Sequence, residues 1–379
     1  MINLSIPYLA GNEKKYLEKC IKKNYVSTVG NFIIRFENKF KSLLKFRYNL
    51  ALNSGTSALH LALLSIGIKK NELVITQSYT FAATANAILY CNAEPWFFDV
   101  KKEDMSLDIE QLEKELSQNT FIKDNKCIHK KTKKTVKAIV PVFSLGISPN
   151  LKTLNSIAKK YKLKVIYDAA AAHATKYQNK NLSSQKITAC FSFNGNKSFT
   201  AGGGGILATN EKKIYEKAKI LANIGKSNTK YNYEYLGYNY KMTNLQAAVG
   251  LGQLQNFKKI INNKKKIFNY YQENILNNDT LKKYIPPEWH GGTQWIFFCT
   301  IKTKISEKLV AFFKKKNIQI SFFWKPLHLQ KPYRNYLRTN MSFSNYIWNR
   351  LLTLPSSAGL SKKDQKKIIK TTKSFFKIK

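Results

Sequence analysis

The chain has 379 residues, of which 44% are hydrophobic, and its 64 lysines and arginines outnumber its 22 aspartates and glutamates. This length and composition indicate a globular protein of one or two domains and exclude a disordered chain. The formal net charge of +42 invites a nucleic-acid interpretation. However, the basic residues are nearly all lysines spread along the chain, whereas base recognition favours arginine. We therefore expect no dedicated nucleic-acid or membrane binding and attribute the lysines to codon bias, with a polyanion-binding protein as the alternative.

The chain lacks the features of an exported or disulfide-linked protein. It has no apolar run of the roughly 18 residues that a membrane span needs, and its start does not resemble a secretory signal. Its five cysteines are scattered without CxxC spacing, which argues against disulfides and a structural zinc site. We expect a cytoplasmic protein without a metal.

Up to about residue 237, short apolar strands alternate with amphipathic helices, which predicts a mostly parallel sheet covered on both faces. The predicted strands are 49–53, 72–76, 94–99, 136–143, 164–168 and 188–193. The predicted helices are 56–66, 80–90, 109–116 and 151–161. The charged stretch 130–137 is interpreted as a solvated loop.

A different pattern follows in the C-terminal third of the chain. A long helix at about 243–272 is predicted to link a large domain, residues 1–245, to a smaller α+β domain, residues 246–379. Strands are predicted at 294–301 and 318–323. A last helix is predicted from Lys362, because Ser361 and Asp364 have the spacing of a capping box.

The segment Asn53-Ser54-Gly55-Thr56-Ser57 joins a predicted strand to a predicted helix. The free N–H groups and the dipole of such a helix form an anion site, so Gly55, Thr56 and Ser57 are candidates to hold a phosphate. Ordinary helix capping explains the same residues about as well. No lysine follows as in a P-loop, which argues against a nucleotide triphosphatase.

Two further residues have chemistry that a buried site could use. Asp168 ends a predicted strand, where α/β sheets bind ligands. A buried carboxylate needs a partner, which is either a protonated pyridine nitrogen or the start of the next helix. Lys197 follows the strand and turn 191–196 and precedes four glycines. A lysine of lowered pKa forms Schiff bases, although most lysines are solvated surface residues.

The order of phosphate turn, strand-end acid and later lysine resembles the fold type I pyridoxal-phosphate (PLP) enzymes. The match is closest to the DegT/StrS sugar-nucleotide aminotransferases and covers nearly the whole chain. It rests on motifs along the sequence: Tyr25 to Gly30, Phe36-Glu37, Asn53 to Leu59, Tyr79 to Ala83, Phe191 to Lys197, Gly237 to Thr243, Trp324 to His328 and Leu354 to Ser357. The resemblance implies a three-layer α/β/α large domain with a mostly parallel sheet, and a smaller C-terminal α+β domain.

The resemblance also implies a role for individual residues. Lys197 would hold PLP and shuttle protons, while Asp168 would pair with the pyridine nitrogen. The remaining positions are Phe81 for stacking on the ring; Gly55, Thr56, Ser57 and Ser192 for the phosphate; Asn239 as a contribution from a second subunit; and Ser27, Thr28 and His328 beside the sugar. A homodimer with shared active sites is therefore expected.

The Asn194-Gly195-Asn196-Lys197 form is most similar to the branch acting on UDP-linked 2-acetamido-2,6-dideoxy-4-keto sugars. The expected reaction is transamination at C4 with glutamate as donor, in amino-sugar and surface-glycan biosynthesis. A C3-keto sugar aminotransferase and a catalytically silent regulatory homologue are the alternatives. The silent alternative is motivated by departures from the family pattern at Ala171, Phe143, Lys241, Ser321 and Cys91.

Overall fold

The computed structural model describes residues 1–102, 104–226, 231–275 and 280–378. Its helices are α1 (Glu13–Lys22), α2 (Asn31–Leu44), α3 (Gly55–Ser65), α4 (Ala82–Tyr90), α5 (Ile109–Asn119), α6 (Leu151–Lys160), α7 (Lys212–Ala222), α8 (Asn244–Gln255), α9 (Phe257–Ile275), α10 (Glu307–Lys315), α11 (Ser342–Ile347) and α12 (Lys362–Phe376).

The strands are β1 (Tyr48–Leu52), β2 (Leu73–Gln77), β3 (Glu94–Phe98), β4 (Thr120–Lys123), β5 (Lys126–His129), β6 (Thr135–Val140), β7 (Lys164–Val165), β8 (Tyr167–Asp168), β9 (Thr175–Tyr177), β10 (Lys180–Asn181), β11 (Ala189–Ser192), β12 (Gly205–Thr209), β13 (Leu281–Lys283), β14 (His290–Gly292), β15 (Phe297–Ile301), β16 (Ser321–Phe322) and β17 (Leu351–Leu354).

The main sheet has the strand order β3-β2-β6-β7/β8-β11-β12-β1. A parallel bridge between Val142 and Asp168 joins its two halves. Along this order all neighbouring pairs are parallel except those of β12, which runs antiparallel to both β11 and β1. Strands β5 and β4 extend the sheet from β6 as an antiparallel pair. The expected α/β architecture with a mostly parallel sheet is therefore confirmed. The carboxyl ends of β1, β8 and β11 lie at the same edge, where a ligand site is favoured.

Helix α3 packs deeply against this sheet, as its nearly continuous apolar sequence predicted. Its side chains from Ser57 to Leu63 are all buried. A helix that is apolar on every side loses stability unless it is enclosed, so α3 is held firmly in the core. Its N-terminus is consequently a rigid feature of the sheet edge.

Several predicted elements have different bounds in the structure. The strand predicted at 136–143 ends at Val140, because Pro141 has no N–H to continue the ladder. The stretch 130–137 was wrongly predicted as a loop throughout: its first residues turn between β5 and β6, and the rest lies in β6. The strand predicted at 164–168 is divided at Ile166, because β7 pairs with β6 and β8 pairs with β11.

The single long helix predicted at 243–272 is two helices. Helix α8 ends at Gln255, because the next residue, Asn256, leaves the helical conformation with a φ of −96° and a ψ of 8°, and α9 begins at Phe257. An asparagine side chain competes with the backbone for hydrogen bonds, which explains a break at this position. Thr243 caps α8 together with Gln246. Helices α1 and α2, which the sequence did not predict, pack against α8.

The C-terminal part is built on the antiparallel sheet β13-β15-β17-β16. Its core includes Phe268, Phe297, Leu352 and Ile368, contributed by α9, the sheet and α12. Ser361 caps α12 as predicted, with its hydroxyl oxygen accepting the N–H of Asp364 at 3.1 Å. The boundary between 245 and 246 stays a prediction. No helix among the described residues is long and apolar enough to cross a membrane.

Candidate active site

A cavity of about 380 Å³ opens at the sheet edge where β1, β8 and β11 end. Six of the residues singled out in the sequence line it: Gly55, Thr56, Phe81, Asp168, Ser192 and Lys197. They come from the start of α3, the start of α4, the ends of β8 and β11, and the turn after β11. Residues that are separated in sequence by more than a hundred positions thus share one cavity.

The N-terminus of α3 forms one end of this cavity. Ser54 accepts the N–H of Ser57 at 3.0 Å, and the Ser57 hydroxyl donates to Asn53 Oδ1 at 2.6 Å. This network fixes the first turn and leaves Gly55 and Thr56 facing the cavity. The Ser57 side chain is buried and is not among the lining residues, because its hydroxyl and its N–H are both engaged in the cap.

A glycine is required at position 55. A Cβ placed there would lie 2.7 Å from the Cβ of Ser192. The helix start therefore approaches the end of β11 so closely that no side chain fits between them. This contact joins the first helical turn and the Ser192 hydroxyl into one cradle, which is the arrangement that a phosphate group needs.

Asp168 lies at the other side of the cavity with 4% of its surface exposed. Its Oδ2 accepts the hydroxyl of Thr84 at 2.7 Å, and its Oδ1 accepts the N–H of Ala170 at 3.1 Å. Burial raises the pKa of this carboxyl, against the opposing effects of Thr84, Ala170 and the charge of Lys197. A cationic partner in the cavity would therefore stabilise the ionised form.

Lys197 presents its amine to the same cavity. Burial lowers the pKa of Lys197 to about 8, although the nearby Asp168 charge opposes that shift. Within the described residues, no carboxylate lies within ion-pair distance of its Nζ, which instead lies 4.3 Å from the ring centroid of Trp295. A lysine of lowered pKa without an ion-pair partner is suited to attack a carbonyl carbon.

These residues fit PLP. One side of the cavity holds a carboxylate that has no ion-pair partner among the described residues, and the other holds a helix N-terminus that favours an anion. PLP has a pyridine nitrogen that can be protonated, a phosphate and an aldehyde that reacts with an amine. Phe81 lines the cavity with 63% of its surface exposed and is therefore available for ring stacking.

Four other predicted site residues do not line the cavity. Ser27 and Asn239 are exposed, and Thr28 is half-buried. His328 is buried, with Nδ1 2.7 Å from Ser78 Oγ and Nε2 3.0 Å from Asn345 Oδ1. Both ring nitrogens of His328 therefore have protein partners in this chain. The predicted roles of these four residues in binding the sugar or completing a dimer stay predictions.

Several residues that shape the cavity were given no role from the sequence, although Trp324 belongs to one of the motifs that carry the resemblance. Thr84 holds Asp168, and an aromatic wall is formed by Trp295, Phe323 and Trp324. The rings of Trp295 and Phe323 stack at 5.7 Å and 14°, and those of Phe323 and Trp324 stack at 5.4 Å and 26°. The only local feature that could have indicated Thr84 is that it is a polar residue within the apolar helix α4. Nothing local marked Trp295.

Two of the five positions that were expected to depart from the family pattern line the cavity, namely Ala171 and Phe143. Both are buried, at 7% and 1% exposure. Lys241, Ser321 and Cys91 are not among the lining residues. Together with the aromatic wall, the two departures make this part of the cavity surface apolar.

The fold and this lysine–carboxylate cavity define the class of fold type I PLP enzymes. Residues 7–373 match the DegT/DnrJ/EryC1/StrS aminotransferase family, and the chain belongs to this family. The resemblance predicted from the sequence is thereby confirmed.

Known proteins match the chain over nearly its full length. It is 30% identical over 374 residues to the GDP-perosamine synthase of Caulobacter vibrioides, covering 97% of this chain and 96% of that protein. It is 27% identical over 356 residues to the UDP-4-amino-4,6-dideoxy-N-acetyl-beta-L-altrosamine transaminase of Campylobacter jejuni, covering 91% and 89%. The crystal structure of a DegT DnrJ EryC1 StrS aminotransferase from Brucella abortus matches with a TM-score of 0.87 and 26% identity, covering 96% and 95%.

The family membership has direct consequences for the activity. The chain is a PLP-dependent sugar aminotransferase.

Proposed function

We propose that the protein transfers an amino group from L-glutamate to C4 of a nucleotide-linked 4-keto-6-deoxy sugar in the biosynthesis of a surface glycan. The main observation that supports this proposal is that Lys197 and Asp168 line one cavity beside the N-terminus of α3. The Campylobacter relative's name specifies a 4-amino-4,6-dideoxy product, which supports C4. A keto group at C3 is the alternative, since the same catalytic residues would serve it.

We propose that the nucleotide is UDP and that the sugar is 2-acetamido-2,6-dideoxy-hexos-4-ulose. The reason is that the Asn194-Gly195-Asn196-Lys197 turn resembles the family branch that acts on such sugars. The name of the Campylobacter relative contains UDP, whereas that of the Caulobacter relative contains GDP. GDP is therefore the direct competitor, and any test must include both nucleotides.

In this proposal each residue performs a separable task. Bound PLP supplies an electron sink for the bond that breaks at the donor carbon. The Lys197 Nζ would hold the cofactor at rest. Once the amino donor takes its place, the freed amine would be able to take the proton from the glutamate α-carbon and, in the second half-reaction, to deliver a proton to the sugar C4. Asp168 would keep a proton on the ring nitrogen of the bound cofactor, and the hydrogen bonds from Thr84 and Ala170 favour its ionised form. The first turn of α3 binds the phosphate.

A homodimer that shares its active sites is part of the proposal. Asn239 is exposed, and its carbonyl oxygen accepts the side-chain N–H of Asn53 at 3.2 Å, next to the start of α3. The neighbouring side chains Tyr233 and Leu236 are 56% and 91% exposed. Large apolar side chains that cluster on a surface are typical of protein interfaces. A second subunit covering this segment would bring its own Asn239 toward the cavity of its partner.

The first experiment tests the cofactor and the lysine. The purified protein should absorb visible light, and borohydride should fix the cofactor to the peptide that contains Lys197. Lys197→Ala should lose this attachment, while the matched control Lys180→Ala, at an exposed position in β10, should retain it. Attachment to a different lysine would refute the assignment of Lys197.

The second experiment identifies the substrates. Glutamate should discharge the visible absorbance in a half-reaction, and other amino acids should do so more slowly. The aminated enzyme is then offered UDP- and GDP-linked sugars with keto groups at C4 or C3, and the products are identified by NMR. Turnover of a 3-keto sugar alone would contradict the C4 proposal, and turnover of GDP-linked sugars alone would contradict UDP.

Subunit complementation tests the shared site. If Asn239 acts across the interface, mixing Lys197→Ala with an inactive Asn239→Ala variant should restore activity, because the mixed dimer contains one site with both residues intact. If both residues act within one chain, no mixture can restore activity. Analytical ultracentrifugation of the same samples verifies that subunits exchange.

A further inference from the structure

Trp295 makes two contacts with the turn that bears Lys197. Its indole N–H donates to the carbonyl oxygen of Asn196 at 2.6 Å, which is the peptide directly before the lysine. The face of its ring lies 4.3 Å from Lys197 Nζ. One side chain thus contacts both the backbone and the amine of this position.

Trp295 is itself held firmly. It is 3% exposed, its backbone N–H donates to the Leu145 carbonyl at 2.9 Å, and its ring stacks on Phe323. It lies just before β15, in the C-terminal part of the chain, whereas Lys197 lies after β11. The contact therefore joins the two parts of the protein at the reactive amine.

The two contacts have different physical consequences. The indole N–H satisfies a carbonyl oxygen that also accepts the Ser5 hydroxyl at 2.8 Å, so it fixes the turn. The ring face is negative, so it attracts an ammonium group more than a neutral amine. The attraction is stronger in a desolvated cavity than at a surface.

We propose that Trp295 is a positioning residue for Lys197, which fixes the turn through its indole N–H and favours the protonated amine through its ring face. The proposal rests on the role of Lys197 in the proposed function but concerns the protein before any cofactor binds. In this role Trp295 acts in the same direction as the Asp168 charge and against the effect of burial, and so contributes to the pH at which the lysine becomes nucleophilic.

The test measures the titration of Lys197 in the cofactor-free protein. A trace of acetic anhydride is allowed to compete for all lysines across a pH series, and mass spectrometry of the peptides quantifies acetylation at Lys197. The exposed Lys180 serves as an internal reference. In Trp295→Leu, the midpoint for Lys197 should fall by about one pH unit, since the ring contact that favoured the ammonium is lost.

Trp324→Leu is the matched control. Trp324 lines the same cavity and stacks on the same Phe323, but within the described residues its ring makes no cation–π contact with Lys197. The Lys197 midpoint in this variant should equal that of the wild type. Equal midpoints in Trp295→Leu and the wild type, or an equal fall in both variants, would overturn the proposal.

A second variant covers the case in which Trp295→Leu does not fold. Trp295→Phe keeps an aromatic face, which is a weaker partner for a cation, and removes the indole N–H. The Lys197 midpoint should then fall by a few tenths of a unit, and hydrogen exchange at Lys197 and its neighbours should accelerate. An unchanged midpoint with unchanged exchange would overturn the proposal. Neither readout uses glutamate or a sugar, so failure of the proposed function would be seen separately.

Discussion

Gly55→Ala is the sharpest test of the phosphate cradle, because it adds a single methyl group at the closest approach of α3 to β11. The added Cβ would lie 2.7 Å from the Ser192 Cβ and 3.2 Å from its Cα. Carbon atoms that are not bonded pack at about 3.5–4.0 Å. The start of α3 and the end of β11 must therefore move apart by about 1 Å.

The size of the effect follows from how α3 is held. Because the helix is buried on all sides, it has little room to move, and overpacking of this kind costs about 1–3 kcal/mol of folding free energy. The higher helix propensity of alanine offsets at most about 1 kcal/mol of this cost. A shifted first turn should also lose one hydrogen bond to a charged phosphate, worth about 1.5–3 kcal/mol. We expect cofactor affinity to fall by about tenfold to a hundredfold.

The assay compares Gly55→Ala with Gly195→Ala. A Cβ at Gly195, in the turn before Lys197, would meet no atom of the described part of the chain within 4 Å. Thermal unfolding without cofactor and equilibrium binding of PLP are measured for both variants. Gly55→Ala should lose stability and affinity, whereas Gly195→Ala should retain both. If the two variants behave alike in both measurements, the close approach of α3 and β11 is not what binds the phosphate.

Two further predictions concern buried polar groups. Thr84→Val removes the hydroxyl that donates to Asp168 while keeping the side-chain volume, so the pKa of Asp168 should rise further. The acidic limb of the pH–rate profile for the glutamate half-reaction should then move to higher pH. An acidic limb at the wild-type pH would contradict the role of Thr84. Lys264 is buried, its Nζ donates to the Ser356 carbonyl at 2.8 Å, and burial lowers its pKa to about 7. Between this pKa and the value of about 10.4 in the unfolded chain, the unfolded state holds a proton that the folded state lacks, so stability should rise with pH across that window. Urea unfolding at about pH 6 and about pH 9 should show a smaller rise in Lys264→Met than in the wild type, and an equal rise in both would refute the assignment.

The predictable part of the site has a common origin in local sequence. Gly55 and Thr56 follow a strand and begin an apolar helix, and Asp168 ends a strand. Such positions are defined by a few neighbouring residues, and the parallel sheet then brings its strand ends to one edge. Lys197, in contrast, was not predicted from local sequence, because its choice among many lysines depended on resemblance to a family. No property of the lysine alone distinguished it.

The unpredicted part of the site depends on contacts between distant segments. Trp295 reaches Lys197 across almost a hundred residues, and Thr84 reaches Asp168 across a similar distance. The periodicity of apolar residues predicts that such side chains are buried, but it does not predict which distant residues they contact. The break between α8 and α9 at Asn256 was also not predicted from the sequence, because the residues on both sides of it are compatible with one continuous helix.

The energetics of the cavity bear on whether the departures at Ala171 and Phe143 mark a loss of function. Burial disfavours the ionised form of Asp168 and the protonated form of Lys197, so both groups lower the stability of the cofactor-free protein near neutral pH. Replacing either group with an apolar residue of similar size would remove that penalty. A chain that no longer needed the chemistry would gain stability by such a replacement, yet both groups are present together with the partners that hold them. Ala171 and Phe143 lie on the apolar side of the cavity and leave the lysine–carboxylate pair intact. Retention of that pair with its partners favours a working aminotransferase over the catalytically silent alternative.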